Sequence, residues 1–234
     1  MNIDVIIPAL NEEASVGRVV SGLLRTDFVR TVWVVDNGST DQTALRAREA
    51  GAQVLAEARR GYGSACLRGL SALSSDTDIV VFIDADGSDL PAEIIKLIEP
   101  VVDDRADLVI GSRVLGEPDP GSLTWPQRFG NAIASSWLRV RFGQSATDLG
   151  PFRAIRKTSL DLLRLCDTNY GWTVEMQIKA AHHRLRYLEV PVSYGCRIGQ
   201  SKISGTIRGV VGAGTKIIGL LFWYDLMSSR EARN

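Results

Sequence analysis

Short unbroken apolar runs alternate along the first half of the chain with stretches whose apolar residues recur every three or four positions. IDVIIP (3–8) is such a run, ended by a breaker, and reads as a buried strand; Val16, Val19, Val20, Leu23 and Leu24 then keep helical spacing. TVWVVD (31–36) predicts a second strand, NGSTD a turn, and residues 40–50 a helix stopped by Gly51. AQVL is a third short strand, GYGSACLRGLSAL a glycine turn entering a helix, and DIVVFID (78–84) a fourth strand. Pro91 suits the first turn of the following helix, whose apolar face is Ile94, Ile95, Leu97, Ile98 and Val101; DLVIGS (107–112) is again a strand. Strand and helix in alternation predict an α/β fold, with a mostly parallel central sheet and helices on both faces.

The second half is less regular. Residues 128–142 predict a helix, TDLGPFRAIRK a loop entering a short strand, WTVEMQIKAAHH a helix, and LRYLEVPVSY an extended segment. The tail, IRGVVGAGTKIIGLLFWYDLM, is apolar with Arg208 and Lys216 inside it. Lys216 in mid-segment and four glycines argue against a spanning helix and for an amphipathic one, lying on a bilayer or packed on the sheet.

With 234 residues and 45% hydrophobic content, the chain is long enough for a sizeable core, and neither a linker nor a repeat divides it. Three scattered cysteines fit a reducing compartment, and Asp4, Glu12 and Glu13 are not expected of a secretory signal. The net charge is zero but divided. Residues 1–138 carry 12 Lys/Arg against 20 Asp/Glu, and residues 139–216 carry 13 against 5. An acidic half suits a cation, and a basic half suits phosphates or an anionic membrane face; nucleic acid is not an expected partner.

In parallel α/β sheets ligands bind beyond the carboxyl ends of the strands, and Pro8, Asp36, Asp84 and Arg113 stand at or just past four such ends. Asp84-Ala85-Asp86 follows a buried strand. Two acids so close repel unless a cation or donors offset them, and hard cations such as Mg²⁺ or Mn²⁺ take oxygen ligands shared with a diphosphate. Ser88 or Asp89 offers another ligand; Asp89 is equally placed to cap the next helix. Asp36 suits a nucleobase or ribose, although Asn37-Gly38 makes an Asx turn by itself. Arg113, Arg128, Arg197 and Lys202 are the basic counterparts, and RIGQSKISG (197–205) has the composition of a phosphate-gripping loop. Trp172 and Glu175 are candidates for an acceptor pocket, against core packing for the first and a Lys179 pair for the second. His182 and His183 have no ligand spacing. Neither a dinucleotide fingerprint nor a Walker loop is present, which weighs against a dehydrogenase and an NTPase.

The ordered set VIIPALNEE, VVDNGSTDQT, FIDADGSDLP, VIGSR, TDLGPFRAIRK and RIGQSKISG resembles the family 2 glycosyltransferases of the GT-A (Rossmann-like) fold, above all the dolichyl- and polyprenyl-phosphate mannose or glucose synthases. The resemblance implies a catalytic domain over residues 1–205, with residues 206–234 as a tail packed on the domain or the membrane surface. It implies inverting transfer of a hexose from a UDP- or GDP-sugar to a polyprenyl phosphate, with Mg²⁺ or Mn²⁺, at the inner face of the cytoplasmic membrane. By position, Pro8, Leu10 and Glu12 would line the base and ribose pocket, Asp36 would contact the nucleoside, and Asp84 and Asp86 would hold the metal. Arg113 and Arg128 would steer phosphates, Arg197, Ser201 and Lys202 would close over the diphosphate, and Asp148 falls where the family places an acid near the sugar. The family's D-A-D-L-Q reads D-A-D-G-S here, so Ser88 stands where a metal-ligating amide is expected. The rival expectations are a soluble enzyme acting on a hydroxyl, with Asp148 as base, and a non-catalytic nucleotide-sugar-binding protein.

Overall fold

The computed structural model describes residues 1–122 and 125–199, apart from the side chains of Pro126 and Gln127; Ser201, Lys202 and the apolar tail lie outside the described residues. The chain runs β1 (Ile3–Ala9), α1 (Val16–Leu24), β2 (Val29–Asp36), α2 (Thr43–Glu49), β3 (Gln53–Ala56), α3 (Tyr62–Leu70), β4 (Ile79–Phe82), α4 (Ile94–Val102), β5 (Leu108–Ser112), α5 (Trp125–Phe142), β6 (Arg153–Arg156), α6 (Lys157–Leu163), α7 (Trp172–His182) and β7 (Tyr187–Pro191). The seven strands form one sheet in the order β3-β2-β1-β4-β6-β5-β7. All pair in parallel except β6, which is antiparallel to both β4 and β5.

Alternation along the strands divides the core into two layers. Ile3, Val5, Ile7, Ile79 and Val81 pack under α1 and α4, against Val16, Val19, Leu23, Ile94, Leu97 and Val101. Ile6, Val80, Phe82, Leu108 and Ile110 face the other way, onto Ala65, Cys66, Leu160, Trp172 and Met176. Helices thus cover both faces, as expected of buried parallel strands. Trp172 is fully buried edge-on to Phe82 at 5.9 Å, so it belongs to this core and not to an acceptor pocket.

Two helix starts differ from the sequence expectation. Helix α2 begins at Thr43, because residues 40–42 are held from outside: Asn11 Oδ1 accepts the Thr40 amide at 2.8 Å and Glu13 Oε2 accepts the Gln42 amide at 2.8 Å. Helix α5 begins a turn earlier than expected, at Trp125. Asp89 caps nothing; a 3₁₀ turn opened by Pro91 precedes α4, and no side chain caps it.

The topology sets the rim. Strands β1, β2, β4 and β5 end at one edge of the sheet, and the antiparallel β6 starts there. The segment before β6 is therefore delivered beside the end of β5, with Ile110 opposite Arg153. Across the rim, Gly61 and Gly63 let the start of α3 press on the loop before α7. A Cβ at either would overlap a carbonyl oxygen, that of Thr168 or of Asp167, and Gly61 also has φ +140°. Ser64 N donates to Thr168 O at 2.9 Å in the space so made.

Gly63→Ala separates propensity from packing. Alanine in a helix is favoured by about 1 kcal/mol, whereas overlap with a fixed carbonyl costs about 1–3 kcal/mol. Urea denaturation is expected to show a net loss of up to about 2 kcal/mol; a gain would mean that the loop yields freely.

Candidate active site

A cavity of about 350 Å³ opens at this edge. Pro8 and Leu10 from the end of β1, Asn37 after β2, and Arg60, Gly61 and Tyr62 at the start of α3 form one side; Asn169 and Tyr170 from the loop before α7 complete it. Glu12, Asp84 and Asp86 supply negative charge, and Arg113, Arg197 and Tyr194 stand among them. Both acids of the D-A-D motif and both arginines thus enter the same space.

The acidic wall is crowded. Asp84 is half-buried, and its Oδ1 is sealed from solvent with no partner. Burial, and secondly the charge of Asp86, push its carboxyl up to about 7. Asp86 is buried; its Oδ1 accepts the Ser88 amide at 2.9 Å and the Ser88 hydroxyl, while its Oδ2 lies 3.5 Å from Arg197 Nη1. Ser88, expected as a metal ligand, therefore turns its hydroxyl to Asp86 and does not line the cavity. Asp89 is 2% exposed with neither carboxylate oxygen partnered, and burial, then Asp84, raises it well above the usual carboxylate range.

Arg197 spans the acids, with Nη2 donating to Glu12 Oε1 at 2.7 Å. Its segment is laid over the D-A-D turn by backbone bonds: Ile198 N to Asp86 O at 2.9 Å and Gly195 N to Ser88 O at 2.8 Å. Glu93 anchors the same segment from α4's side, accepting the Ser193 amide at 2.7 Å.

The carboxylate pair fits a hard divalent cation. It presents oxygen donors one residue apart, one of them buried without a partner. Mg²⁺ is typically held by one or two carboxylates, with phosphates and water completing the shell. Consistently, no group of three or more His, Cys, Asp or Glu among the described residues is placed to cage a metal ion by itself.

Arg113 and Asp148 form a buried unit. Arg113 donates Nε to Asp148 Oδ2 and Nη2 to Oδ1, both at 2.7 Å, and its amide to Oδ2 at 2.9 Å. Asn131 of α5 adds a bond to Oδ1 at 2.6 Å. Burial alone would raise Asp148, but the Arg113 guanidinium and these donors hold it below the usual range. Tyr194 stacks on Arg113 with the guanidinium carbon 4.9 Å from the ring centre. The loop before β6 is itself pinned, since Glu189 accepts the Thr147 amide at 2.9 Å and Gln177 donates to Asp148 O at 2.9 Å.

Pro8, Leu10, Glu12, Asp84, Asp86, Arg113 and Arg197 thus meet at one cavity. Asp148 stands behind Arg113 and does not line it. Asp36 is half-buried at the rim and closes the turn by accepting the Ser39 amide at 3.0 Å. The wall residue there is Asn37, whose amide group ties to Glu57 O, Arg59 O and Gly61 N. Arg128 is exposed on α5, away from the cavity lining. Glu175 is buried against Lys179 and the Cys166 and Asp167 amides, which removes it from any acceptor pocket. Sequence reasoning missed Arg60, Tyr62, Asn169, Tyr170 and Tyr194. Only the glycines flanking Tyr62 carried a signal, of close backbone approach; the others sit in loops without periodicity.

Asp84→Asn is expected to stabilise the fold and damage the site together. The carboxyl titrates near 7 folded and near 3.8 in its ordinary state, so the native state holds the extra proton between these values. The cost of its charge builds as pH rises from about 4 to about 7 and is constant above. Thermal melts should show the variant equal to wild type near pH 4 and more stable, by at most about 4 kcal/mol, above pH 7. Mn²⁺-dependent nucleotide binding should weaken by about tenfold or more. Equal melts across the range would remove the buried-charge account.

Comparisons with known proteins agree with this geometry. Residues 4–163 match the family described as Glycosyl transferase family 2. An uncharacterized glycosyltransferase of Mycobacterium tuberculosis is 40% identical over 229 residues, covering 97% of this chain and 98% of its own. Undecaprenyl-phosphate mannosyltransferase of Micrococcus luteus is 33% identical over 223 residues, covering 89% and 90%. The crystal structure of glucosyl-3-phosphoglycerate synthase from Mycobacterium tuberculosis, in complex with Mn²⁺, UDP-glucose and phosphoglyceric acid, matches with a TM-score of 0.77 and 26% identity over 95% of this chain and 79% of that one. A family match over residues 4–163, together with the likeness to the crystallised synthase, establishes that this protein belongs to glycosyltransferase family 2 and is an enzyme of the GT-A fold.

Proposed function

We propose that the enzyme transfers a hexose, with inversion, from a nucleoside-diphosphate sugar to a polyprenyl phosphate at the inner face of the cytoplasmic membrane. One observation carries the choice of acceptor: Asp148, the acid nearest the expected sugar position, is spent on Arg113. Both its oxygens are occupied, it is fully buried, and it is held ionised. A hydroxyl nucleophile needs a base within reach. The carboxylates that do line the cavity belong to the donor side: Glu12 and Asp86 pair with Arg197, and Asp84 with Asp86 forms the cation pair. A phosphate monoester has a second pKa near 6 and arrives as an anion, so it needs positioning and no base.

The chemistry then divides among the chain's own groups. Pro8, Leu10, Asn37 and Tyr62 shape the nucleoside side of the cavity. A divalent cation bound at Asp84 and Asp86 would supply the positive charge that offsets the leaving diphosphate. Arg197 stands where it can exchange its carboxylate partners for diphosphate oxygens. Arg113, fixed in register by Asp148 and Tyr194, offers charge to the acceptor phosphate without losing its own partner. The acceptor oxygen attacks the anomeric carbon as its bond to the diphosphate breaks, and no proton need move. The named acceptor and donor chemistries of the Micrococcus enzyme and of the synthase crystallised with Mn²⁺ and UDP-glucose support the reading.

A second reading has its own support. That synthase was crystallised with phosphoglyceric acid, a small phosphate ester, and no helix among the described residues is long and apolar enough to cross a membrane. The two are separated by offering a prenyl phosphate, the matching prenyl alcohol and phosphoglycerate with Mn²⁺ and a panel of UDP- and GDP-sugars. Product on the prenyl phosphate alone is expected; product on the alcohol or phosphoglycerate overturns the proposal.

Asp148→Asn tests the missing base directly. It leaves a buried guanidinium short of its counter-charge, a loss of about 3–5 kcal/mol in stability. Turnover of whatever remains folded should fall with the pH profile keeping its shape. Loss of a limb from the wild-type profile would identify Asp148 as a base after all.

A further inference from the structure

Tyr194 stands at the cavity between the two groups of charge, and the segment that carries it is fixed from both sides. Its backbone pairs with Asp89, just past the D-A-D motif, and with Pro118 on the connection after β5. The Asp119 amide donates to Tyr194 O at 2.8 Å, and the Gly195 amide donates to Ser88 O at 2.8 Å. The side chain is itself buried, 8% exposed. Its ring lies on Arg113, with 4.9 Å from the guanidinium carbon to the ring centre. Its hydroxyl reaches the side chain of Ser88. A serine hydroxyl has one proton to give, and Ser88 gives it to Asp86 Oδ1. Ser88 can therefore only accept from the phenol, and the donors run in one line from Tyr194 to Ser88 to Asp86.

We propose that Tyr194 is a positioning residue that sets a cation-side carboxylate and an acceptor-side guanidinium together: its hydroxyl, through Ser88, aims Asp86, and its ring fixes the plane of Arg113. This rests on the assignment of Asp86 to a divalent cation and of Arg113 to the acceptor phosphate. The two halves are separable. Asp86 Oδ1 accepts both the amide and the hydroxyl of Ser88, which leaves Oδ2 as the oxygen turned to a cation or, in its place, to Arg197. The amide alone would hold Oδ1 by one bond. The hydroxyl adds a second, and the phenol keeps that hydroxyl from rotating to another acceptor. Partners one step removed from a metal commonly change its affinity by about 10–100-fold. Ser88 stops short of the cavity, so it serves as a link and not as a ligand. At the other end, Asp148 takes Nε and Nη2 of Arg113 in the plane of the guanidinium, and Tyr194 covers one face. The group can neither turn in its plane nor tip out of it, so its remaining donors keep one direction for an incoming phosphate.

The test uses the full chain as wild type, Tyr194→Phe, Tyr194→Leu, Ser88→Ala and the double variant Tyr194→Phe/Ser88→Ala. Mn²⁺ uptake is read from the electron paramagnetic resonance of the free ion, with UDP and, separately, GDP present. Tyr194→Phe is expected to weaken uptake about tenfold and Ser88→Ala at least as much; the double variant should lose no more than Ser88→Ala, since the phenol acts only through the serine. The KM for the phosphate acceptor that wild type uses, prenyl phosphate or phosphoglycerate, should stay within about twofold in Tyr194→Phe and rise about tenfold in Tyr194→Leu. Wild type that takes up no Mn²⁺, undiminished uptake in Tyr194→Phe, or losses that add in the double variant overturn the link to Asp86. Equal acceptor KM in Tyr194→Phe and Tyr194→Leu overturns the part given to the ring. A Tyr194→Phe chain that melts far below wild type overturns the proposal, since the hydroxyl would then serve the fold and not the site. Turnover of phosphoglycerate in place of the prenyl phosphate defeats the lipid reading and spares this one, because either acceptor brings a phosphate to Arg113; turnover of the prenyl alcohol alone defeats both.

Discussion

Negative charge packed at the carboxyl end of β4 is the constraint to which the rest of the site responds. Asp84, Asp86 and Asp89 fall within six positions just after a buried strand, and the fold leaves oxygens of Asp84 and Asp89 unpartnered. Such a cluster is unfavourable unless something positive meets it. Arg197 does so from a segment more than a hundred residues distant, and the backbone bonds of Gly195 and Ile198 keep that segment over the acids. The Ser88 hydroxyl and amide hold one oxygen of Asp86, which leaves the other toward Arg197. Poor accommodation of charge in the protein alone is the property that suits this cluster to the proposed cation and diphosphate.

The second centre, Arg113 with Asp148, works in the opposite way. Its charges are mutually satisfied, so it is rigid and not reactive. Its existence depends on the single antiparallel strand. Were β6 parallel, the loop before it would emerge at the far edge of the sheet, and Asp148 could not reach the end of β5. Tyr194 joins the two centres: its ring lies on Arg113, and its segment carries Arg197. Arg197 and Arg113 are thereby linked through one aromatic residue in a loop that periodicity does not reveal.

Asp148 shows how a residue can be located by resemblance while its partners are set only by the fold. The TDLGPFR motif singles it out, yet whether it accepts a proton depends on who else claims its oxygens. Arg113, Asn131 and the Arg113 amide claim them all. At the same rim, Asp36 accepts the Ser39 amide and the Ser88 hydroxyl donates to Asp86.

The sequence by itself determined the alternating strands and helices, the sheet's two buried faces, and the row of polar residues at the strand ends, because side-chain periodicity and turn chemistry are local properties. The family followed from six motifs in order. Tertiary structure alone decided which distant charges pair: Arg197 with Glu12 and Asp86, and Arg113 with Asp148; it also brought two loop amides to Glu175, whose Lys179 pair was legible at i,i+4 spacing. It also decided that α5 turns Trp125 and Phe129 outward, since helical spacing gives a face but not the direction in which the face points. Pairing and orientation depend on distances between residues far apart in the chain, and those distances come into existence only when the sheet closes its order around β6.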